Sequence, residues 1–423
     1  MTRKAAALAL LLVWPVAARA ANDPEPDVEW VFQARNRFSH ENTRTFCDLK
    51  RVGESPVRRH MVLSPDESTL YVASVDTMYG VNTDTGKLRW MFECMDCRAE
   101  PSLSLSRDGA VLYVGSVGSD LKPVLLALHA DTGEEKWKFT LHKSFAMCFF
   151  PTVTPDGSHV IASILGREAG LLAMDAPTGR VLWNYTDLYG RAMHYAAVHP
   201  DGHTAYVRAF YQKKGSRKHK RDELHAVDVA TGERKWFWRD ADGPFTDTYA
   251  PVLSPNGREV YVWTRRETLY ALDSATGAVL WEHKPGYRIW SVDFSPDGSS
   301  VFFGDSRGGI LHNLDLSTLT QRWAFRTVRS TGSWLKSILG LSAAGSLATD
   351  AKGRAIFTGT SNGDVFALSP NGTRLWSKTI SGRDVKSIVV GHNRGGETVF
   401  VRADADVFAL TGHATHFHEH TEL

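Results

Sequence analysis

One eleven-residue phrase recurs along this chain of 423 residues and constrains its fold more than any other feature. The phrase reads Ala-Leu-Asp-x-x-Thr-Gly-x-x-x-Trp, and its clearest copy spans residues 271–281. Two copies depart from it: Leu319 replaces the glycine in one, and the other loses a residue before Gly372. Every copy nevertheless keeps tryptophan four residues after the glycine position, at Trp90, Trp137, Trp183, Trp236, Trp281, Trp323 and Trp376. Unrelated hairpins would not keep this offset, so the copies indicate one repeated structural unit.

The repeat has the length of a small antiparallel sheet. Successive tryptophans of the phrase are 42 to 53 residues apart, a period that suits a four-stranded propeller blade. A Pro-Asp-Gly-like turn followed by a β-branched or aromatic run precedes each copy, as in residues 295–303. We therefore predict an all-β chain that forms an eight-bladed β-propeller of four-stranded antiparallel blades.

The eighth unit is split between the two ends of the chain. Its turn, residues 394–396, precedes two apolar runs that end at Leu410, but no tryptophan follows. The missing tryptophan is Trp30, within Glu29-Trp30-Val31-Phe32. We predict that this N-terminal strand completes the last blade, which leaves the ring without an open sheet edge.

The phrase has a local physical logic. Its apolar residues form a buried strand, the Asp and Thr side chains bond turn amides, and glycine supplies the positive φ. The tryptophan then covers the seam between neighbouring blades, removing roughly 150–250 Å² from water. This pattern resembles the tryptophan-docking motif of pyrroloquinoline-quinone (PQQ) type propellers, over nearly the whole of residues 21–411.

The resemblance implies two kinds of function. Quinoprotein alcohol and aldose dehydrogenases of this family hold PQQ over the channel, stacked on a tryptophan, with a calcium ion and an aspartate base. Their eight-bladed alcohol dehydrogenases carry a disulfide between adjacent cysteines, which this sequence lacks. No calcium-ligand set matches residue by residue, so no catalytic residue is assigned.

Non-enzymatic relatives are similar in size. They include the propeller lipoprotein of the bacterial outer-membrane assembly machinery, whose lipid-attachment cysteine is absent here, and lumenal stress-sensor domains of kinases, which need a membrane span. We expect a binding scaffold for a protein or glycan partner, without a cofactor. The alternative is a PQQ-dependent quinoprotein oxidoreductase using PQQ and Ca²⁺.

In this family the Pro-Asp-Gly and Thr-Gly turns share one face of the ring. The second-to-third-strand loops and the connections between blades share the other, where ligands usually sit. The loop of the fourth blade carries a basic run: Lys213, Lys214, Arg217, Lys218, Lys220 and Arg221. The run is either a solvated insertion or a dock for an acidic partner or glycan.

Four cysteines, Cys47, Cys94, Cys97 and Cys148, fall in predicted connections between neighbouring blades. An even count in an oxidising compartment suggests two disulfides, and we expect Cys47 and Cys148 each to pair with one member of Cys94/Cys97. One alternative is a redox pair, because Cys94-Met95-Asp96-Cys97 has the CxxC spacing. Such pairs usually begin a helix, and none is predicted here. Zinc binding is the third interpretation.

Residues 1–20 are typical of a signal peptide. Arg3 and Lys4 precede an apolar stretch, residues 5–16, and Ala18-Arg19-Ala20 is a small-x-small cleavage site; a retained anchor is the alternative. The stretch is too short to span a membrane, and no other segment approaches 18 apolar residues. We expect a soluble protein of the secretory pathway, in the ER lumen or secreted, or periplasmic if the host is bacterial.

Charge and composition give no sign of a nucleic-acid partner. The formal net charge is +2, and loss of Arg3, Lys4 and Arg19 with the signal makes it −1. We expect a monomer.

Two features near the surface depend on the host. Asn184 and Asn371 begin N-x-Thr sequons and are candidate glycosylation sites in a eukaryotic secretory protein. Residues 412–423 form a histidine-rich tail, predicted to be flexible and weakly metal-chelating, with histidines at 413, 416, 418 and 420. The final His-Thr-Glu-Leu resembles an ER-retrieval signal, with Thr where Asp is usual.

Overall fold

The computed structural model describes residues 25–34 and 60–411, apart from short internal gaps. The gaps are 75, 96, 98–101, 119–121, 142–145, 167–169, 187–195, 213–219, 241–249, 265–266, 306–308, 328–343, 381–383 and 394–395. The described residues form β-strands and turns only, and their strands make eight four-stranded antiparallel sheets. The predicted eight-bladed β-propeller is confirmed. Within the described part of the chain, no helix is long and apolar enough to cross a membrane.

Blades are numbered along the chain, and blades 1 to 7 each take four consecutive strands. Blade 1 comprises β2 (Met61–Leu63), β3 (Thr69–Ala73), β4 (Thr77–Asn82) and β5 (Leu88–Glu93). Blade 2 comprises β6 (Ser102–Leu105), β7 (Val111–Val117), β8 (Pro123–His129) and β9 (Glu135–Thr140). Blade 3 comprises β10 (Ala146–Val153), β11 (His159–Gly166), β12 (Gly170–Asp175) and β13 (Val181–Tyr185). Blade 4 comprises β14 (Ala197–Val198), β15 (Thr204–Gln212), β16 (Lys220–Asp228) and β17 (Arg234–Arg239).

Blade 5 comprises β18 (Val252–Leu253), β19 (Glu259–Trp263), β20 (Leu269–Asp273) and β21 (Val279–His283). Blade 6 comprises β22 (Ile289–Phe294), β23 (Ser300–Asp305), β24 (Ile310–Asp315) and β25 (Gln321–Arg326). Blade 7 comprises β26 (Ala344–Thr349), β27 (Ile356–Thr360), β28 (Asp364–Leu368) and β29 (Arg374–Thr379). Blade 8 joins β30 (Val385–Asn393), β31 (Gly396–Ala403) and β32 (Asp406–Thr411) to β1 (Asp27–Gln33).

The N-terminal strand closes the ring, as the sequence predicts. β1 runs antiparallel to β32, with Trp30 opposite Ala409 and Phe32 opposite Val407. Trp30 and Phe32 turn inward and pack in a cluster that joins blade 8 to blade 1. The buried Arg402 guanidinium adds a polar link, because it donates to the Ala73 carbonyl of blade 1. The edge of β32 is therefore covered, and the first and last blades are connected by side chains of both.

The hydrophobic core is distributed over the seams between blades. The second and third strands are buried almost throughout, as in β3 and β7. Their two faces pack against the blades on either side, so the strands are continuously apolar rather than alternating. One such cluster joins Leu125 and Ala127 of blade 2 to Ile164 and Leu172 of blade 3. A sheet of this ring therefore has no core of its own, and its stability depends on its neighbours.

The Asp-x-x-Thr-Gly turns are held by their own side chains. In blade 5 the Asp273 carboxylate accepts hydrogen bonds from the Thr276 amide at 2.8 Å and hydroxyl at 2.7 Å. Gly277 follows with φ of 74°. Leu319 adopts φ of 55° at the corresponding position of blade 6, so the turn survives without glycine at a cost in backbone strain.

Each tryptophan of the repeat lies on the fourth strand of its blade. Trp90 covers the glycine of the next blade, Gly133, and its indole N–H donates to the Ala130 carbonyl at 2.9 Å. The same donation to a carbonyl of the next blade is made by Trp30, Trp137, Trp183, Trp236 and Trp323. At Gly133 an added Cβ would lie 2.4 Å from the Trp90 ring, so the glycine leaves the indole its space there.

Candidate functional site

The ring has two different faces. The turns between first and second strands and between third and fourth strands lie on one face, here called the turn face. The loops between second and third strands and the connections between blades lie on the other, here called the loop face. This division follows from the strand order of each sheet.

The hairpin of blade 4 projects farther from the loop face than its own outer strand. The β16–β17 ladder ends at the pair Glu223 and Arg239, whereas the β15–β16 ladder continues to Gln212 and Lys220. Three additional residue pairs extend the hairpin by about 10 Å, at 3.3–3.4 Å per residue. In blade 5 both ladders end at the same residue, Leu269. The strands that flank the predicted basic run therefore extend beyond the outer strand of the blade.

Most of the basic run itself cannot be placed. Residues 213–219, which include Lys213, Lys214, Arg217 and Lys218, lie outside the described residues. Lys220 and Arg221 begin β16, paired with Gln212 and Tyr211, and their side chains are not described. Gln212 and Lys220, which flank residues 213–219 in the chain, are paired at the end of the β15–β16 ladder.

A charged and aromatic cluster lies at the base of the hairpin. Glu223 accepts hydrogen bonds from Arg239 Nε at 2.9 Å and shares one with His225 Nε2 at 2.9 Å. The other nitrogen of His225 lies 2.8 Å from the Tyr185 hydroxyl of blade 3. Burial opposes ionisation of Glu223, but the bonds from His225 and Arg239 hold its pKa below the usual range. The carboxylate therefore stays charged and fixes Arg239 at the rim.

The outer strand of blade 4 continues this surface. Phe237 is 49% exposed, although large apolar side chains are usually covered. The guanidinium carbons of Arg234 and Arg239 lie 5.1 and 5.8 Å from its ring centroid, within cation–π range. Arginine is enriched at the energetically dominant positions of protein interfaces, and its guanidinium pairs well with carboxylate and phosphate groups.

The cysteines are arranged differently from the expected interblade pairing. Cys94 is bonded to Cys97, so neither can also pair with Cys47 or Cys148, and that prediction is wrong. Cys148 lies within β10 rather than in a connection, and its side chain is not described; Cys47 lies outside the described residues. The preferred scheme failed because the four-residue CxxC segment can close on itself in a tight turn. Here Cys97 N–H donates to the Cys94 carbonyl at 3.1 Å.

The Cys94–Cys97 disulfide is buried between blades 1 and 2. Cys94 is 5% exposed and Cys97 is fully buried, and both pack in the cluster that contains Trp90. The backbone of Cys97 also forms a bridge to Gly118 at the end of β7. Catalytic cysteines are partly exposed in an electropositive setting, whereas these are enclosed by apolar groups, which favours a structural role.

No cluster of acidic side chains among the described residues marks a calcium site at the loop face. Calcium takes six to eight oxygen ligands. Among the described residues, one group of three or more His, Cys, Asp and Glu side chains comes close enough to share an ion: Asp350, His392 and Glu397. These residues lie at the turn face, opposite the face where the family resemblance places ligands. The buried disulfide likewise offers no exposed surface on which a quinone ring can stack.

Asp293 is a candidate for the aspartate base of a quinoprotein dehydrogenase, because burial raises its pKa to about 6. It lies on β22, the inner strand of blade 6. One carboxylate oxygen accepts the Phe294 amide at 2.9 Å, and the other accepts the Thr349 hydroxyl of blade 7 at 3.1 Å. Because both of its carboxylate oxygens accept hydrogen bonds, Asp293 links blades 6 and 7 and is not positioned to act as a base.

The raised pKa of Asp293 predicts a pH-dependent stability. The folded chain binds a proton here more tightly than the unfolded chain, whose pKa lies near 3.8. Stability from this group is therefore complete below about pH 4 and is lost as the pH rises through about 6. Asp293→Asn should raise the free energy of unfolding by about 1–2 kcal/mol at pH 7.5 and hardly change it at pH 4. Urea unfolding at both pH values measures this, and an equal effect at both would contradict it.

Two glycosylation sites are predicted from the sequence, and one group of side chains was not predicted. The sequon residues Asn184 and Asn371 are both exposed, Asn184 on β13 and Asn371 in a turn of blade 7, and glycosylation of either stays a prediction. Sequence reasoning missed the group around His392. The sequence holds one sign of it: Glu67 replaces the glycine of a Pro-Asp-Gly turn, at a position where φ is 56°.

Known proteins similar to this chain include an outer membrane assembly factor and several dehydrogenases. The family model described as outer membrane protein assembly factor BamB matches residues 98–239 and 220–418. The crystal structure of BamB from Moraxella catarrhalis superposes with a TM-score of 0.58 at 19% identity, covering 85% of this chain and 96% of that one. Quinohemoprotein alcohol dehydrogenase from Comamonas testosteroni gives a TM-score of 0.64 at 15% identity, covering 92% and 77%.

Curated sequences include enzymes as well. A polyvinylalcohol dehydrogenase from Pseudomonas sp. is 23% identical over 400 residues, covering 77% of this chain and 62% of that protein. The quinohemoprotein alcohol dehydrogenase of Comamonas testosteroni is 24% identical over 289 residues, covering 62% and 36%. The chain thus spans less than two thirds of the length of these relatives, and likeness at this level of identity shows the fold alone. On the family match, the chain belongs to the PQQ-repeat β-propeller family whose model is described as outer membrane protein assembly factor BamB.

Proposed function

We propose that this chain is a binding scaffold of the secretory pathway that engages a protein or glycan partner through the loop face of blade 4. The observation that carries the proposal is the projecting β15–β16 hairpin, whose strands flank the basic run in the sequence, beside the outer strand β17 with Arg239 and the exposed Phe237. The net charge of the whole chain is close to zero, so this concentration of positive charge is local. It suits an acidic protein segment or an anionic glycan.

The compartment is part of the same proposal. The signal-like residues 1–20 and a disulfide that is stable in oxidising surroundings both support export. The family model is named after a factor of outer membrane assembly.

Charge reversal tests the binding surface. We expect the full chain carrying Lys213→Glu, Lys214→Glu, Arg217→Glu and Lys218→Glu to bind partner at least about tenfold more weakly, because close interfacial charges are worth more than 1.4 kcal/mol in total. The partner is first captured by proximity labelling in the native compartment. Heparin and a polyglutamate peptide then serve as defined glycan and acidic-peptide probes, titrated by calorimetry.

A matched variant separates local from overall charge. Lys87, Lys136, Lys138 and Arg180 are exposed and lie on blades 1 to 3. Their reversal to glutamate changes the net charge equally and should leave binding within about twofold. If both variants lose binding equally, overall charge rather than the blade 4 hairpin is responsible. If neither loses binding to any probe or captured partner, the proposed surface is wrong.

The second candidate is a PQQ-dependent oxidoreductase, favoured by the similarity to polyvinylalcohol dehydrogenase. Its test is to add PQQ and Ca²⁺ to the purified chain. Quinone absorbance that co-purifies with the protein, together with reduction of an artificial dye by an alcohol, would establish this activity and replace the scaffold proposal. Absence of both supports the scaffold.

A further inference from the structure

A group of acidic side chains surrounds one histidine at the turn face, where blades 7, 8 and 1 meet. Asp350 follows β26 in blade 7, whereas His392 and Glu397 lie on β30 and β31 of blade 8. One ligand-type atom from each of the three lies within 4.8 Å of the others. Glu67 of blade 1 contacts the same histidine, with Oε2 3.1 Å from His392 Nδ1. This group is far from the loop face and has no role in the binding function proposed above.

The Arg354 guanidinium contacts both carboxylates of the group. Arg354 donates to Asp350 Oδ2 at 3.0 Å and to Glu397 Oε2 at 2.7 Å, which orients both groups. The Asp350 side chain is fully buried, and its other oxygen, Oδ1, has no hydrogen-bond partner among the described residues. Burying a carboxylate oxygen without a hydrogen-bond partner costs several kcal/mol of folding free energy. A bound cation would offset that cost.

Glu67 prepares the histidine as a ligand. Its Oε2 lies 3.1 Å from His392 Nδ1 and also accepts the His392 backbone amide. A carboxylate at Nδ1 favours the tautomer that carries its proton there, which leaves the lone pair on Nε2. A carboxylate behind an imidazole is the usual outer partner of a metal-binding histidine, and it raises the basicity of the ligand.

The charge of the group also favours a cation. Glu67, Asp350 and Glu397 bring three negative charges, against the ion-paired Arg354 and, at longer range, Lys352. The donor set is one imidazole nitrogen with two carboxylate oxygens, which suits Zn²⁺ and similar first-row ions better than Mg²⁺ or Ca²⁺. Donor atoms that all lie within 4.8 Å of one another need only small side-chain movements to meet on an ion with bonds near 2.0–2.2 Å.

We propose that Asp350, His392 and Glu397 form a binding site for a divalent transition-metal ion, with Zn²⁺ as the expected occupant and Glu67 as the residue that positions His392. Because the ligands come from blades 7 and 8 and the support from blade 1, the ion ties together the three blades around the ring closure. A metal ion that binds the folded chain but not the unfolded chain raises the free energy of unfolding. Above saturation, this gain grows with the logarithm of the free ion concentration.

The experiment uses the full chain after chelator treatment and dialysis. Because the C-terminal histidines can bind metal, His413, His416, His418 and His420 are changed to glutamine in every sample. Calorimetric titration with ZnCl₂ should show one site, and Co²⁺ should give visible d–d absorbance. We expect His392→Ala to weaken Zn²⁺ binding at least about 100-fold, Glu397→Gln to do so to a similar extent, and Glu67→Gln to weaken it 10- to 100-fold.

His199→Ala is the matched control. His199 also lies in a turn of the turn face, and its Nδ1 is 2.8 Å from Asp201 Oδ1, but it belongs to no group of three ligands among the described residues. It should leave Zn²⁺ affinity and the thermal shift on adding zinc unchanged. Circular dichroism in EDTA verifies that each variant is folded before titration. Absence of zinc binding to the parent chain, or binding that persists in both His392→Ala and Glu397→Gln, would overturn the site.

Discussion

Gly133→Ala should destabilise the chain by at least about 3 kcal/mol more than Gly157→Ala. Both glycines have left-handed φ, at 76° and 72°, and both amides donate to the carbonyl of a preceding turn residue. A methyl group on Gly157 would have nothing within 4 Å, whereas one on Gly133 would lie 2.4 Å from the Trp90 ring. Gly157→Ala therefore costs only the backbone strain of about 1 kcal/mol, and Gly133→Ala also expels the indole.

The difference between the unfolding free energies of these two variants measures the contribution of Trp90 packing at the seam between blades 1 and 2. Trp90 is 8% exposed, so displacing it returns most of its area to water and breaks its hydrogen bond to Ala130. Urea unfolding followed by tryptophan fluorescence measures both variants against the parent chain. Equal destabilisation by the two substitutions would show that tryptophan docking does not hold the blades together.

Loss of the two inward side chains of β1 should open the ring. Trp30 packs on Gly86 and donates to Thr83 of blade 1, and Phe32 lies 5.3 Å from Tyr79. We expect the double variant Trp30→Ala, Phe32→Ala to lose at least about 4 kcal/mol of unfolding free energy, since each truncation of a packed aromatic costs about 3–5 kcal/mol and both sites are partly exposed. Val31→Ala on the same strand should cost less than about 0.5 kcal/mol, because Val31 is 47% exposed.

Release of β1 has a second observable consequence. It uncovers the hydrogen-bonding edge of β32, and an open edge pairs with other chains. Size-exclusion chromatography of the double variant should show oligomers that increase with concentration, and limited proteolysis should cut near residue 30. A monomeric double variant with parental stability would mean that the first strand is not what closes the ring.

The sequence by itself determined the ring. Eight blades, the closure through Trp30 and the seams at the repeat tryptophans all follow from a short phrase whose residues interact locally or with the next copy. Fixed offsets such as glycine to tryptophan preserve this information along the chain. In the copy that lacks the glycine, Asp315 still accepts the Thr318 amide at 3.0 Å and Leu319 is left-handed, so this copy keeps the turn geometry.

Other features were decided only by the tertiary structure. The sequence could not choose among cysteine pairings, because spacing leaves several open, and the structure joined Cys94 to its near neighbour Cys97. The sequence located the basic run on blade 4, but the projection of its hairpin depends on how far each ladder continues past Glu223. The group around His392 brings Glu67 to a residue 325 positions away, and the two meet only because the last blade closes on the first. A repeat pattern encodes contacts between one unit and the next, whereas a contact across the closure exists only once the whole ring has formed.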